Sequence, residues 1–345
     1  MTKVVRVGDV LIGGGNKIAV QSMTNTVTKN ADATSAQINA LTDAGCDIVR
    51  VAVADAADAE ALGDIKKRIK VPLVADIHFD YRLAVAAVRN GADKIRINPG
   101  NIGSDDGLKK IISAAKERGV AIRIGVNGGS LGKDILARFG NTAAALAESA
   151  LEYVRRFEDM GFDNIVLSVK SSDVRKTVDA CRILAKECDY PQHIGVTESG
   201  SGESARVKSA IGIGALLLDG IGDTIRVSLT DNPVEEVLFA KEILRAVGKD
   251  KNYCEVISCP SCGRCGINLI AVAQEIKEYV KDIKKPMKIA VMGCAVNGPG
   301  EAADADLGLA GGQGKALFFK NGKVFRTVAA DDMTEEFKRE IDKIR

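Results

Sequence analysis

The chain has 345 residues, 46% of them hydrophobic and 27% charged, an ordinary globular composition. Lys and Arg (48) nearly balance Asp and Glu (46), leaving +2; with no Trp and 4% aromatics, this argues against a nucleic-acid partner. No apolar run approaches the ~20 residues that span a bilayer, and the amino terminus, MTKVVRVGDVLIGGG, lacks a secretory h-region, so the expected setting is cytoplasmic with no membrane partner.

VVRVGDVLIGGG (4–15) reads as a hairpin suited to plugging a barrel floor. One rhythm then repeats from Lys17 to about Ala246: a short apolar strand, a Gly- or Asn-containing loop, an amphipathic helix. The expected strands are 17–23, 46–53, 71–79, 93–100, 120–129, 162–170, 192–200 and 223–230, with helical stretches such as 141–161 and 233–248 between or after them. Eight units over about 230 residues approach the ~250 typical of a (β/α)8 barrel, and their Val/Ile content suits a parallel sheet covered by helices. An open doubly wound sheet is the competitor; eight regular units without a long insertion favour closure. After Gly248 the rhythm breaks at a polar linker (248–253). The expected fold is thus α/β: a TIM-like (β/α)8 barrel over 1–248, then a small α+β domain over 249–345. That domain is expected to hold a strand into a cysteine loop, a helix near 266–280, a strand at 287–293 and a Gly-rich loop at 308–315. A hairpin at 316–328, turning at Asn321–Gly322, and a helix at 333–344 complete it.

Charged residues inside the apolar strands are the first functional signal. Arg50, Arg96, Arg123 and Arg226 stand in VRV, IRI, IRI and IRV contexts, where a buried charge is expensive unless paired. Alternation places Arg96 with Asn98, Arg123 with Asn127, Arg226 with Ser228, Ser168 with Lys170, and Asp76 with His78. A closed barrel converges these at its carboxyl-terminal mouth, where barrel active sites lie. Internal ion pairs are the plain alternative, but the cations outnumber Asp76 and Glu198. That surplus implies an anionic ligand, and a diphosphate uses so many guanidinium forks better than a monophosphate. The Gly-rich loops 98–104, 125–132 and 197–204 offer backbone N–H groups, each a weak signal alone. Glu198, placed among cations, is a candidate for moving a proton, with a counter-ion role as the alternative; His78 can donate to the ligand, and His193 reads as structural.

The second signal is CPSCGRC (259–265) followed by GCAVNGPGE (293–301). Cys-x2-Cys-x2-Cys with a distant cysteine is ferredoxin-like spacing for a [4Fe–4S] cluster, and on spacing alone Cys265 joins the ligands. A four-cysteine zinc site is the alternative, although Cys294 has no second cysteine two positions away. Cys46, Cys181 and Cys188 read as small core residues.

SCPSCGR (258–264), GCAVNGPGE (293–301), QSMTNT (21–26), ADIHFD (75–80), RINPGNIG (96–103) and VNGGSL (126–131) resemble motifs of the 4-hydroxy-3-methylbut-2-en-1-yl diphosphate synthase family, in its compact bacterial form. These are iron–sulfur enzymes of the methylerythritol phosphate route to isoprenoids. The resemblance implies a TIM-like barrel joined to a domain like part of sulfite and nitrite reductases. It implies reductive ring opening and dehydration of 2-C-methyl-D-erythritol 2,4-cyclodiphosphate, with flavodoxin or ferredoxin as electron donor. It assigns the diphosphate to Arg50, Arg96, Arg123, Lys170, Arg226 and Ser228, with Asn98 and Asn127 nearby, and catalysis to Glu198. It assigns the [4Fe–4S] cluster to Cys259, Cys262, Cys294 and Glu301, leaving Cys265 out, and expects a homodimer whose sites are shared between subunits. A phosphate-binding barrel lyase or aldolase with a structural metal tail is the alternative enzyme, disfavoured because no Schiff-base or metal-ligand set is evident in the barrel. A plain electron carrier has no need of so large a cationic barrel.

Overall fold

The computed structural model describes residues 1–102 and 105–345, so Gly103 and Ser104 of the 98–104 loop lie outside the described residues. The chain divides into two compact units, Met1–Lys249 and Asp250–Arg345.

The first unit opens with a hairpin, β1 (Val5–Val7) paired antiparallel to β2 (Val10–Ile12). Eight parallel strands follow: β3 (Ala19–Met23), β4 (Ile48–Val53), β5 (Leu73–Ile77), β6 (Lys94–Ile97), β7 (Ala121–Asn127), β8 (Ile165–Lys170), β9 (His193–Ile194) and β10 (Thr224–Ile225). They run β8-β7-β6-β5-β4-β3-β10-β9, and a parallel bridge between Leu167 and Gln192 brings β8 to the β9 edge and closes the ring. Helices follow each strand, among them Ala31–Asp43 after β3, Val174–Glu187 after β8 and Pro233–Ala246 after β10. Asn30, Asp55, Asp80, Thr142, Asp173 and Asn232 cap helices by accepting a first-turn backbone N–H, which satisfies donors no helix can pair internally. The outward faces of the strands bury Val49, Val51, Leu73, Ile95, Ile122 and Leu167 against these helices. Val5, Val7 and Ile12 of the hairpin pack with Ala19, Ile48, Val74, Ala121 and Val166, the inward residues near the starts of β3, β4, β5, β7 and β8; the hairpin seals the barrel floor.

β9 and β10 are far shorter than the 192–200 and 223–230 runs expected from sequence. At Gly195 a Cβ would stand 2.3 Å from the Arg226 carbonyl oxygen, so the backbones crowd together just where the ladder ends.

The second unit is one sheet, β11 (Cys254–Ser258), β12 (Met287–Met292), β13 (Leu307–Gly311), β14 (Lys315–Lys320) and β15 (Lys323–Ala329), in that order. β11, β12 and β13 are parallel; β13, β14 and β15 are antiparallel neighbours. Helices Leu269–Val280 and Met333–Asp342 cover one face through Leu269, Val272, Ile276, Phe337 and Ile341. Asn321 and Gly322 both take positive φ, +47° and +74°, as the expected tight turn requires. The supposed Gly-rich loop at 308–315 is in its first half strand β13, wholly buried. Its glycines serve packing: a Cβ on Gly308 would sit 2.0 Å from the Phe319 ring, and one on Gly311 2.6 Å from Ile267.

Candidate active site

Alternation along the barrel strands turns Met23, Arg50, Asp76, Arg96, Arg123 and Ser168 inward, with Arg226 just past β10. Together with His78, Gly125, Asn127, Lys170, Thr197 and Ser228, all of these except Met23 line a cavity of about 170 Å³ at the carboxyl ends of the strands. Arg96, Arg123, Ser168, Lys170 and Asp76 are buried, Arg50 and Arg226 nearly so, and His78 sits half exposed at the rim.

Asp76 organises one side. It accepts from Arg96 Nη1 at 3.2 Å, lies 3.3 Å from His78 Nε2 and 3.9 Å from Arg50 Nε. Burial raises its pKa, but Arg50, His78, Arg96 and Arg123 outweigh burial and hold the carboxyl well below its usual range. Arg50 also donates to Met23 Sδ from Nε (3.0 Å) and Nη2 (2.8 Å). Burial, reinforced by Arg226 and Arg96, lowers the Arg50 guanidinium to about 10 despite Asp76. Burial followed by the charges of Arg123, Arg226, Arg50 and Arg96 pushes Lys170 well below an ordinary lysine. Arg123 Nε and Nη1 and Arg96 Nε have no hydrogen-bond partner among the described residues. Gly125 makes room for Arg96: a Cβ there would lie 2.6 Å from its Nε.

Glu236 balances the other side. Its carboxylate accepts from Arg226 at 3.4 Å, from Ser22 Oγ at 3.0 Å and from the Leu229 N–H at 3.0 Å. Glu236 was missed in the sequence, although helix Pro233–Ala246 buries Pro233, Glu236, Val237 and Ala240, a helical period that places Glu236 on its inner face. Five cations (Arg50, Arg96, Arg123, Lys170 and Arg226) therefore meet two carboxylates, Asp76 and Glu236. That imbalance, in a cavity lined by buried side chains with unpaired N–H groups, is chemistry for a multiply charged anion.

Two expected residues stand elsewhere. Glu198 is exposed at φ +53° on the loop after β9, outside the cavity lining and without an ion-pair partner among the described residues. Its place as the expected counter-ion is taken by Glu236. The reason is local: Thr197, not Glu198, continues the inward alternation of His193 and Gly195. Asn98 is buried past the end of β6 but does not line the cavity; its carbonyl accepts from the Asn101 N–H. Lys94, beneath Arg96 on the same strand, is completely buried. With Lys170 this puts two buried lysines inside the barrel, crowded by guanidinium groups. A larger cavity of about 600 Å³ lies at the opposite end of the barrel, where Lys17 and Lys249 meet Asp189, Asp219 and Asp223; it has no cation surplus.

In the second unit, β11 and β12 are parallel neighbours with Ser258 opposite Val291, so the Cys259 and Cys294 loops leave the same sheet edge. The Gly293 N–H donates to Cys259 Sγ at 3.2 Å. Cys262 is exposed, and the Arg264 N–H, then its side chain, lower the Cys262 thiol pKa against the opposing charge of Glu301. Glu301 is exposed and ends a short helix, Gly298–Glu301, that follows Cys294. Cys265 instead donates its thiol to the Ile267 carbonyl at 3.2 Å and packs on Gly293, where a Cβ would lie 2.6 Å from its sulfur. The Arg264 N–H favours the Cys262 thiolate, and cysteine sulfurs are soft donors that fit iron–sulfur chemistry. Among the described residues, no three His, Cys, Asp or Glu side chains are drawn together as a metal-holding group.

Comparison with known proteins agrees with both units. Residues 2–241 match the family model of the GcpE TIM-barrel domain and residues 255–343 that of the GcpE protein C-terminal domain. The chain is 56% identical over 344 residues to the 4-hydroxy-3-methylbut-2-en-1-yl diphosphate synthase (flavodoxin) of Anoxybacillus flavithermus, covering 99% of this chain and 94% of that one. It is 53% identical over 342 residues to the protein of that name from Bacillus subtilis, covering 99% and 91%. Among solved structures, dihydropteroate synthase from Yersinia pestis (TM-score 0.52, 12% identity, 72% of this chain and 98% of that one) shares the barrel fold. So does type I 3-dehydroquinate dehydratase from Clostridium difficile (TM-score 0.51, 15% identity, 72% and 98%). With both units matched and relatives above half identity along nearly the whole chain, the protein belongs to the 4-hydroxy-3-methylbut-2-en-1-yl diphosphate synthase (flavodoxin) family.

Proposed function

We propose that the protein opens the ring of 2-C-methyl-D-erythritol 2,4-cyclodiphosphate reductively, losing water and yielding 4-hydroxy-3-methylbut-2-enyl diphosphate. The observation that carries this reading is the excess of buried cations around a small polar cavity, with Arg96 and Arg123 N–H groups left unpaired. Arg50, Arg96, Arg123, Lys170 and Arg226 hold the two phosphates, and Asp76 and Glu236 fix three of those guanidinium groups. Ser168, Asn127 and Ser228 supply neutral donors and His78 a ring N–H that orient the ligand, and Asn98 supports the loop beside them.

Cys259, Cys262, Cys294 and Glu301 are the proposed holders of a [4Fe–4S] cluster; Cys265, committed to the Ile267 carbonyl, is left out. Such a cluster, when bound, supplies one-electron transfer and Lewis acidity. The name of the relatives points to flavodoxin as the donor, and ferredoxin offers the same electrons. The leaving hydroxyl departs as water and so needs a proton. Glu198, with no structural partner to satisfy, is the proposed carrier of that proton. The working form is a cytoplasmic homodimer in which one chain's cluster unit completes its partner's barrel site; among the described residues no helix is long and apolar enough to cross a membrane.

The test is anaerobic turnover. The full chain, reconstituted with iron and sulfide and given reduced flavodoxin, is expected to convert the cyclic diphosphate to the open product, read by mass spectrometry. A protein that carries zinc, or one that carries the cluster and makes no product, contradicts the reading.

A further inference from the structure

Below the cavity, the same alternation points Gln21 of β3, Lys94 of β6, His193 of β9 and Thr224 of β10 into the barrel. All four are at most 1% exposed. His193 Nδ1 shares a hydrogen bond with Thr224 Oγ1. Lys94 Nζ, His193 Nε2 and both amide atoms of Gln21 have no partner among the described residues. Val74 and Ala121 stand in register with Lys94 and, with Ile48 and Val166, belong to the apolar floor of the barrel.

A buried ammonium that makes no hydrogen bond and has no carboxylate beside it is among the least favourable arrangements a protein can hold; a neutral amine is tolerated. The charged groups entering the barrel around Lys94 offer no relief. They are Arg50 from β4, Arg96 from its own strand, Arg123 from β7, Lys170 from β8, His193 from β9 and Arg226 after β10. The one carboxylate on an adjoining strand, Asp76 of β5, is engaged by Arg96, His78 and Arg50, and Glu236 by Arg226. Burial first, then Arg123 and Arg50, push Lys94 well below its ordinary value. Burial, then Lys170, Arg123 and Lys94, do the same to His193. Arg123 and Arg50, which add to the effect of burial on Lys94, both line the cavity, so an anion bound there offsets the charges that repel a proton from Lys94.

We propose that Lys94, buried like His193 inside the barrel, is a proton store under the diphosphate site: uncharged without the anion, and protonated from solvent as the anion binds. The proposal rests on the diphosphate-binding reading of the cavity. The step is a simple protonation, in which solvent gives one proton to the Lys94 amine and no bond in the ligand breaks. Lys94 does not line the cavity and is a positioning residue, adding positive charge beneath the ligand. That charge suits the reaction, because opening the ring breaks the C–O bond to one phosphate and turns that singly charged ester–anhydride into a free terminal phosphate of higher negative charge.

The test is calorimetric binding of the cyclic diphosphate to the oxidised holoenzyme, without electron donor, in buffers of different ionisation heat. Each phosphate of this ligand carries one ester and one anhydride link, so its single remaining acidic hydroxyl stays ionised near neutrality and any proton counted belongs to the protein. Wild type is expected to take up about one proton per site more than Lys94→Met at pH 7.5, any uptake by Lys170 being common to both, and its affinity to weaken more steeply in alkali than the variant's, by up to about a further tenfold per pH unit. Lys94→Leu guards against one variant packing badly. Binding by wild type without uptake, or equal uptake in both Lys94 variants, overturns the proposal. No binding by wild type overturns the anion site itself, and the proton store with it, so the two failures are told apart.

Discussion

Inside the barrel, charged side chains reach the cavity from strands whose register is locked by the sheet. At the ends of β11 and β12, by contrast, cysteines hang on loops and serve as local hydrogen-bond partners. Arg96 stands opposite Asp76 and Arg123 because the ladder puts them there. Cys259 and Cys262 are steadied by single backbone N–H groups, and Glu301 by a four-residue helix. A phosphate site can therefore be built by fold register alone, before any ligand arrives. A thiolate site on loops gains its final geometry from the metal it binds, because ligation and local folding are coupled.

The contrast is broken most severely at the cysteines. Cys259→Ser or Cys294→Ser is expected to lose iron, visible absorbance and turnover together, while Cys265→Ser retains all three. Iron and sulfide analysis of the purified variants checks this, and loss of iron in Cys265→Ser returns the ligand set to four cysteines. Next in size is a pair of glutamates. Glu198→Gln should fold normally, having no structural partner, and lower kcat by about 10²–10⁴-fold. Glu236→Ala should instead destabilise the fold by about 3–5 kcal/mol, because it strands the Arg226 charge. Chemical denaturation beside steady-state kinetics separates the two, and the same behaviour in both variants undoes the distinction.

A smaller effect is expected at Gly125→Ala, whose Cβ intrudes on Arg96 Nε. It should raise KM by roughly tenfold, as loss of one charge-assisted hydrogen bond does, with the cluster spectrum unchanged. An unaltered KM means that Arg96 does not hold substrate in this position. The smallest concerns stability. With its pKa lowered by folding, Lys94 binds fewer protons folded than unfolded, so ligand-free stability rises with pH up to the ordinary lysine value of 10.5. Lys94→Met should flatten that rise and lift Tm by a few degrees at neutral pH; a falling Tm contradicts a buried, discharged lysine.

Much of the barrel was legible because parallel strands and helices write strong periodicities. Arg50, Asp76, Arg96, Arg123, Ser168, Lys170 and Arg226 all stand where two-residue alternation sends them. What escaped is whatever alternation does not govern. Glu198 leaves the pattern through a left-handed backbone conformation that its sequence does not announce. Glu236 belongs to a helix, where a charge in the first turn reads as dipole complement and not as counter-ion to a strand ten residues earlier. β13 looked like a loop because glycines there yield space to Phe319 and Ile267, contacts visible only once the sheet is assembled. The cysteine pattern pointed to metal chemistry, but spacing alone gave Cys265 a role that its hydrogen bond to Ile267 argues against.

The central claim is that the buried cation surplus of the barrel holds the two phosphates. Equilibrium binding of 2-C-methyl-D-erythritol 2,4-cyclodiphosphate to the oxidised wild type and to the Arg96→Met/Arg123→Met double variant tests it most directly. One ligand per chain in wild type, with binding abolished in a double variant that keeps its fold and its cluster, is the predicted result; undiminished affinity in the double variant would contradict it.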